Sequence, residues 1–282
     1  MRAHLVQFDI AWEDRAENFR RVEALLAPVD LRPGDLVLLP EMFDSGFSLN
    51  ADATADHDAR TLGWLTDFAR ARRVTVQGGR TVKPDPAGKA RNQAPAIGPD
   101  GSLLATYEKI HPFSFGREPE AFEGGDSVVT YAWIVPEDSG PAHRATVGPA
   151  ICYDLRFPEL FRLAAMRGAE VLALGANWPD ARQSHWRALA IARAIENQAF
   201  VLAVNRTGPD PHLNYVGGSI AVDPMGTVLG ELADEQAVLS VELDLPGLRA
   251  WRDRFPALRD IRLLDPRNPA PRTGGTGADS RA

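Results

Sequence analysis

Residues 145–159, Ala-Thr-Val-Gly-Pro-Ala-Ile-Cys-Tyr-Asp-Leu-Arg-Phe-Pro-Glu, join a predicted strand to a predicted helix through a short polar turn. The apolar run 145–151 predicts the strand, and the helical spacing of apolar residues over 157–167 predicts the helix. A continuous apolar run at 171–174 predicts a second buried strand. This β-α-β pattern is typical of an α/β protein, and it places Cys152 directly after a strand.

The same alternation of strands and helices extends to both sides of this unit. Because no linker composition interrupts it, the sequence predicts one α/β domain over residues 1–266. Residues 267–282 lack large apolar side chains and are expected to be disordered. The other predicted strands are 4–8, 35–39, 74–78, 94–97, 103–107, 128–135, 200–204, 218–222 and 238–243. The other predicted helices are 61–72, 185–198, 248–254 and one that begins after a cap at Asp14.

Composition narrows the class of protein. The 282 residues are 44% apolar and 24% charged, which excludes disorder over the whole chain. The net charge of −7 comes from interspersed residues, so the sequence predicts neither a nucleic-acid partner nor a membrane surface. A single cysteine excludes an intrachain disulfide, and no signal peptide or spanning segment is recognisable. The expectation is a cytoplasmic protein that acts on a small molecule.

Several common catalytic sites are missing from the sequence. There is no phosphate-binding G-x-x-x-x-G-K-[ST] loop, no dinucleotide-binding G-x-G-x-x-G after the first strand, and no G-x-S-x-G nucleophile turn. The six histidines are scattered and the lone cysteine cannot build a zinc site. We therefore expect no metal and no cofactor.

A carboxylate, an ammonium and a thiol remain, each just after a predicted strand: Glu41, Lys109 and Cys152. Ligands bind at the carboxyl ends of strands in α/β sheets, so these side chains are expected to converge. Glu41 can accept the thiol proton, and Lys109 can stabilise the thiolate and then an oxyanion, together with the backbone N–H of Tyr153. Only three lysines are present, which draws attention to Lys109.

The segments around these residues resemble the Glu-Lys-Cys signature of the nitrilase superfamily of carbon–nitrogen hydrolases, most closely its ω-amidase branch. The resemblance implies an α-β-β-α sandwich, a homodimer that extends it to α-β-β-α-α-β-β-α, and amide hydrolysis through a thioester without a cofactor. It also implies a second glutamate in the loop after the lysine. Glu118 is the match by position, with Glu120 and Glu123 as alternatives.

The same resemblance implies a short dicarboxylic monoamide as substrate, such as 2-oxoglutaramate or 2-oxosuccinamate. Arg182 is the candidate for binding its free carboxylate, and Phe43, Phe115 and Trp178 are candidate apolar walls of the substrate pocket.

Other readings of these residues stay open. An N-carbamoyl amino-acid hydrolase or an aliphatic nitrilase would use the same Glu-Lys-Cys triad, and a non-catalytic scaffold is a further alternative. A papain-like protease is disfavoured because no suitable partner histidine appears. Asp154 and Arg156 are expected to brace the turn after Cys152, and His111 to pack within its loop.

Overall fold

A computed structural model describes residues 1–135 and 143–263, so the predicted disordered tail lies outside the described residues. The first sheet has seven strands in the order β15-β1-β2-β3-β5-β4, with β6 paired to β5. Its strands are β1 (Arg2–Gln7), β2 (Leu36–Leu38), β3 (Thr75–Gln77), β4 (Arg80–Val82), β5 (Arg91–Ile97), β6 (Leu103–Glu108) and β15 (Ala237–Glu242).

The second sheet has six strands in the order β14-β13-β10-β9-β8-β7. They are β7 (Tyr131–Val135), β8 (His143–Ile151), β9 (Val171–Ala176), β10 (Phe200–Asn205), β13 (Ile220–Val222) and β14 (Val228–Glu231), while β11 (Thr207–Pro209) and β12 (Asn214–Val216) form a separate ribbon. The helices are α1 (Arg15–Leu26), α2 (Ala51–Thr54), α3 (Arg60–Arg72), α4 (Glu118–Ala121), α5 (Pro158–Met166), α6 (Gln183–Asn197) and α7 (Leu245–Arg254).

Alternating side chains on the strands show how the layers stack. In β2, Leu36 and Leu38 face the second sheet, whereas Val37 packs in the cluster formed with helices α1 and α3. In β9, Val171 faces the first sheet and Leu172 packs in the cluster formed with α5 and α6. The four layers are therefore helices, sheet, sheet and helices, which confirms the predicted α-β-β-α sandwich.

Strand direction brings the ends of several strands to one edge. β1, β2 and β3 are parallel, and β6 runs in the same direction because it is antiparallel to β5, which is antiparallel to β3. In the second sheet, β8, β9 and β10 are parallel. The residues that follow β2 and β6 can therefore meet the residues that follow β8 and β9.

Most predicted elements are present, with shifted ends. The Asp14 side chain accepts the N–H of Glu17 and caps α1 as predicted. The predicted strand 128–135 begins only at Tyr131, and α6 begins two residues earlier than predicted. The patterns did not predict the short strands β4, β11, β12 and β14, because these runs of three or four residues contain charged or polar residues, glycine or proline beside few apolar residues. Among the described residues, no helix has the length and apolar character needed to cross a membrane.

Candidate active site

Glu41, Lys109 and Cys152 converge where the two sheets meet. Glu41 follows β2, Lys109 follows β6 and Cys152 follows β8. The backbone enters the left-handed region next to Glu41 and at the cysteine, with φ of 44° at Met42 and 45° at Cys152. Such angles are unfavourable for side chains other than glycine, and they occur mostly where the surrounding structure imposes them at functional sites.

The Lys109 ammonium lies between two buried carboxylates. Its Nζ donates to Glu41 Oε1 at 2.7 Å and to Glu118 Oε2 at 2.8 Å. All three side chains are at most 1% exposed. Glu118 therefore occupies the position expected of the second glutamate, whereas Glu120 and Glu123 are exposed and pair with Arg117 and Arg91.

Glu41 accepts further hydrogen bonds from two asparagines. The Nδ2 group of Asn92 donates to Oε1 at 2.8 Å, and the backbone N–H of Asn177 donates to Oε2 at 3.0 Å. Asn177 Nδ2 adds a bond to the backbone carbonyl of Glu41 at 2.7 Å. Both oxygens of Glu41 thus accept hydrogen bonds, which fix the orientation of the carboxylate.

Burial and charge set the protonation of this cluster. Burial raises the pKa of the Cys152 thiol, and the Glu41 carboxylate raises it further, so the resting thiol is protonated. Burial alone would lower the pKa of Lys109, but Glu118 and Glu41 outweigh it and raise that pKa above its usual value. Burial also raises the pKa of Glu118, although Lys109 opposes the shift.

Asp154 holds the turn that carries the cysteine. Its Oδ2 accepts the Tyr107 hydroxyl at 2.7 Å and the N–H of Ile151 at 2.9 Å, while Oδ1 lies 2.8 Å from His111 Nδ1. The His111 ring stacks on Phe157. Asp154 thus braces the turn as predicted, and His111 packs within its loop. Arg156 instead lies over the Trp178 ring and approaches His185.

A cavity of about 660 Å³ opens onto Lys109 and Cys152. Aromatic rings form much of its wall, and Arg182 lies on the same wall with its guanidinium carbon 5.3 Å from the centre of the Phe113 ring. Phe115 lines the cavity as predicted. The remaining aromatic lining residues are Trp12, Phe47, His212 and Tyr215.

Two predicted wall residues do not line this cavity. Phe43 was predicted to line the pocket, but it is fully buried in the cluster beneath α1 and α3, with its ring 5.6 Å from Trp64. Trp178 is also buried; it lines a separate recess of about 20 Å³ beside Cys152 and donates from Nε1 to the Arg182 carbonyl. Tyr153 lines that same recess.

Sequence reasoning assigned no role to Asn92, Asn177, Phe47 or Phe113. Asn177 directly follows β9, whose strand was predicted over 171–174, and this position at the sheet edge was a usable signal. Asn92 lies within a strand that the patterns predicted only from Ala94, so nothing distinguished it. Among the described residues, no group of three or more His, Cys, Asp or Glu side chains could hold a metal ion.

The sequence of this chain is similar to those of known proteins. The profile of the carbon–nitrogen hydrolase family matches residues 2–253. A 2-oxoglutaramate amidase of Bacillus subtilis (strain 168) is 34% identical over 91% of this chain and 96% of its own length. The omega-amidase YafV of Yersinia enterocolitica is 35% identical over 91% of this chain and 94% of its own length.

A solved structure shares the fold. XC1258 of Xanthomonas campestris, described as a CN-hydrolase superfamily protein, superposes with a TM-score of 0.83 at 34% identity. The match covers 93% of this chain and 97% of that one.

Proposed function

Because this chain belongs to the carbon–nitrogen hydrolase family, we propose that Cys152 is the nucleophile, Glu41 the proton carrier and Lys109 the oxyanion-stabilising cation of an amide hydrolase. The chain is a cysteine-dependent amidase of the nitrilase superfamily. The observation that carries these assignments is the buried ammonium, held between two carboxylates, on the wall of a cavity that also reaches the thiol.

In the first half-reaction, Sγ of Cys152 attacks the amide carbon while its proton passes to Glu41. The carbonyl oxygen becomes an oxyanion that the Lys109 ammonium and the backbone N–H of Tyr153 stabilise. As the carbon–nitrogen bond breaks, Glu41 returns the proton to the departing nitrogen. The products of this step are ammonia and a thioester on Cys152.

In the second half-reaction, water attacks the thioester carbon and gives its proton to Glu41. The carbon–sulfur bond breaks, the carboxylic acid leaves, and the proton returns to the thiolate of Cys152. The raised pKa of the thiol favours this return. Over the two steps, the amide and one water molecule become ammonia and the carboxylic acid, and Glu41 and Cys152 return to their starting protonation.

The substrate we propose is a small carboxylic acid with a terminal amide, of the 2-oxoglutaramate or 2-oxosuccinamate kind. The names of the two relatives support this class. In the described part of the chain, no acidic side chain pairs with Arg182, so its guanidinium at the cavity wall is available for the free carboxylate. N-carbamoyl amino acids and aliphatic nitriles remain the alternatives that the same three side chains can attack.

The assembly and location are also proposals. Residues 1–266 would form one carbon–nitrogen hydrolase domain, in a cytoplasmic homodimer that packs two sandwiches through helix α6. Ile195 on that helix is 51% exposed and Met225 nearby is 63% exposed, which fits an apolar contact between subunits. Light scattering on the purified protein and on an Ile195→Glu variant tests the dimer, since the variant should be monomeric.

Ammonia release from a panel of compounds tests the activity: 2-oxoglutaramate, 2-oxosuccinamate, succinamate, N-carbamoyl-β-alanine and simple nitriles. We expect the ω-amides to be preferred, and Cys152→Ala to release no ammonia while unfolding at the wild-type temperature. Full activity in Cys152→Ala would overturn the mechanism. Preference for the carbamoyl compound or for nitriles would assign the enzyme to another branch of the nitrilase superfamily.

Arg182→Ala tests the carboxylate site. We expect KM for succinamate to rise by about tenfold or more, the loss of one charge-assisted bond, with KM for uncharged butyramide little changed. Arg187→Ala is the matched control, because Arg187 pairs with Glu231 on the surface and does not line the cavity. An equal rise for both substrates would show that Arg182 does not bind the carboxylate.

A further inference from the structure

Asn92 contacts every member of the buried cluster formed by Glu41, Lys109 and Glu118. Its Nδ2 group donates to Glu41 Oε1 at 2.8 Å and to Glu118 Oε1 at 3.1 Å. Its backbone carbonyl accepts the N–H of Lys109 at 2.9 Å. Asn92 is 2% exposed and lies in β5, so the sheet fixes the position from which it reaches all three residues.

The other half of the Asn92 amide is left unsatisfied. Its Oδ1 atom is buried and has no hydrogen-bond partner among the described residues. Burying such an atom is unfavourable, and a leucine of similar size would avoid the cost. An ionised aspartate could donate to neither glutamate and would place a third carboxylate against the two others. Only an amide donates to both glutamates without adding charge.

We propose that Asn92 is a positioning residue that holds the two glutamates on either side of Lys109 and keeps Glu41 ready to accept the thiol proton. Hydrogen bonds donated to a carboxylate favour its ionised form. Glu41 must be ionised before it can take the proton of Cys152. The inference rests on the proposed function, because it requires Glu41 to be the proton acceptor.

The test is the pH dependence of kcat/KM in Asn92→Leu and Asn92→Asp, with ammonia release as the assay. The acid limb of the profile reports the group of the free enzyme that must lose its proton before the thiol can attack. We expect the limb to move to higher pH in the leucine variant, which lacks the donor, and further in the aspartate variant, which adds repulsion. At neutral pH, kcat/KM should fall by about ten- to a hundredfold.

The matched control is Thr81→Val. Thr81 is paired with Asn92 across β4 and β5, is fully buried, and has a hydroxyl without a partner among the described residues. It should keep the wild-type profile. If activity falls in the Asn92 variants while the acid limb stays in place, Asn92 has only a structural role and the inference is wrong. The aspartate variant, equal in size to asparagine, decides the matter if the leucine variant does not fold.

Failure of the role of Asn92 can be distinguished from failure of the proposed function. An inactive Cys152→Ala together with unmoved Asn92 profiles would overturn the role of Asn92 alone. An active Cys152→Ala would overturn the mechanism itself.

Discussion

The ammonium nitrogen of Lys109 lies 2.8 Å from Glu118 Oε2, although Glu118 begins the short helix α4 and belongs to neither sheet. With Glu41 on its other side, the lysine is paired with two buried carboxylates. Glu118 and Glu41 outweigh the effect of burial and raise the pKa of Lys109, so its ammonium form is favoured. The proposed mechanism therefore assigns proton transfer to Glu41.

Removing the charge of Glu118 should weaken catalysis without unfolding the protein. In Glu118→Gln the lysine keeps one carboxylate partner and loses part of its positional restraint, so we expect kcat/KM to fall by about ten- to a hundredfold. Ammonia release checks this. Glu120→Gln is the control, because Glu120 is exposed, and it should stay within about twofold of wild type. Equal losses of kcat/KM in both variants would show that Glu118 has no specific role in catalysis.

Lys109 should not tolerate arginine. A guanidinium is planar and wider than an ammonium, and Lys109 is a buried side chain held between Glu41 and Glu118 near the Phe47 ring. We expect Lys109→Arg to lower kcat by about a hundredfold or more, as for loss of an oxyanion-hole donor. Lys83→Arg and Lys89→Arg are the controls for the other two lysines and should remain active. Wild-type activity in Lys109→Arg would contradict the geometry.

Glu41→Gln should change the thiol and the turnover in opposite senses. Burial raises the pKa of Cys152 and the Glu41 carboxylate adds to it, so removing that negative charge should lower the thiol pKa. Turnover should nevertheless fall by about a thousandfold, because the proton carrier is gone. The rate of alkylation by iodoacetamide against pH measures the thiol directly, since the chain has a single cysteine. An unchanged or higher thiol pKa in Glu41→Gln would refute the assignment.

The raised pKa of the thiol also determines how fast Cys152 should be alkylated. A catalytic cysteine is often assumed to alkylate quickly near neutral pH. Here the resting thiol has a raised pKa, so we expect slow alkylation at neutral pH that accelerates as the pH rises. Protection by substrate then distinguishes a catalytic Cys152 from an inert one.

Local patterns predicted most strands and helices and the central residues, whereas the four layers were implied by the resemblance to the nitrilase superfamily. Glu41, Lys109 and Cys152 each came just after a predicted strand. Glu118 was predicted by resemblance and position, and the structure places it against Lys109. Asn92 could not be predicted, since its role depends on contacts with residues far away in the chain.

Phe43 shows why the pocket wall was harder to predict. Phe43 lies two residues after Glu41, and no local pattern directs it away from the site. The left-handed backbone at Met42 turns the chain there, so Phe43 enters the core. Phe47, four residues further on, returns to the cavity with its ring centre 5.4 Å from the Lys109 ammonium. Such a reversal depends on tertiary contacts that periodicity does not encode.

Asp35, which directly precedes β2 and does not line the cavity, should make the free energy of unfolding depend on pH. Its carboxylate accepts bonds from Arg2 at 2.7 Å and from the N–H of Arg32 at 2.8 Å, and lies 3.0 Å from His4 Nε2. Burial alone would raise the pKa of Asp35, but His4 and Arg2 outweigh it, so the pKa in the folded protein is lowered. The stabilisation is therefore complete above the unfolded pKa and is lost as the pH falls through the folded one.

Asp35→Asn should consequently lower the free energy of unfolding at neutral pH by about 1–3 kcal/mol. The difference from wild type should begin to shrink as the pH falls below about 4, where the unfolded carboxyl becomes neutral, and should be smallest below the lowered pKa of folded Asp35. Urea unfolding at several pH values measures both quantities. The control is Asp58→Asn, whose side chain is 61% exposed and should show little effect at any pH. A destabilisation of Asp35→Asn that stays constant down to acidic pH would show that the interaction does not depend on the charge of Asp35.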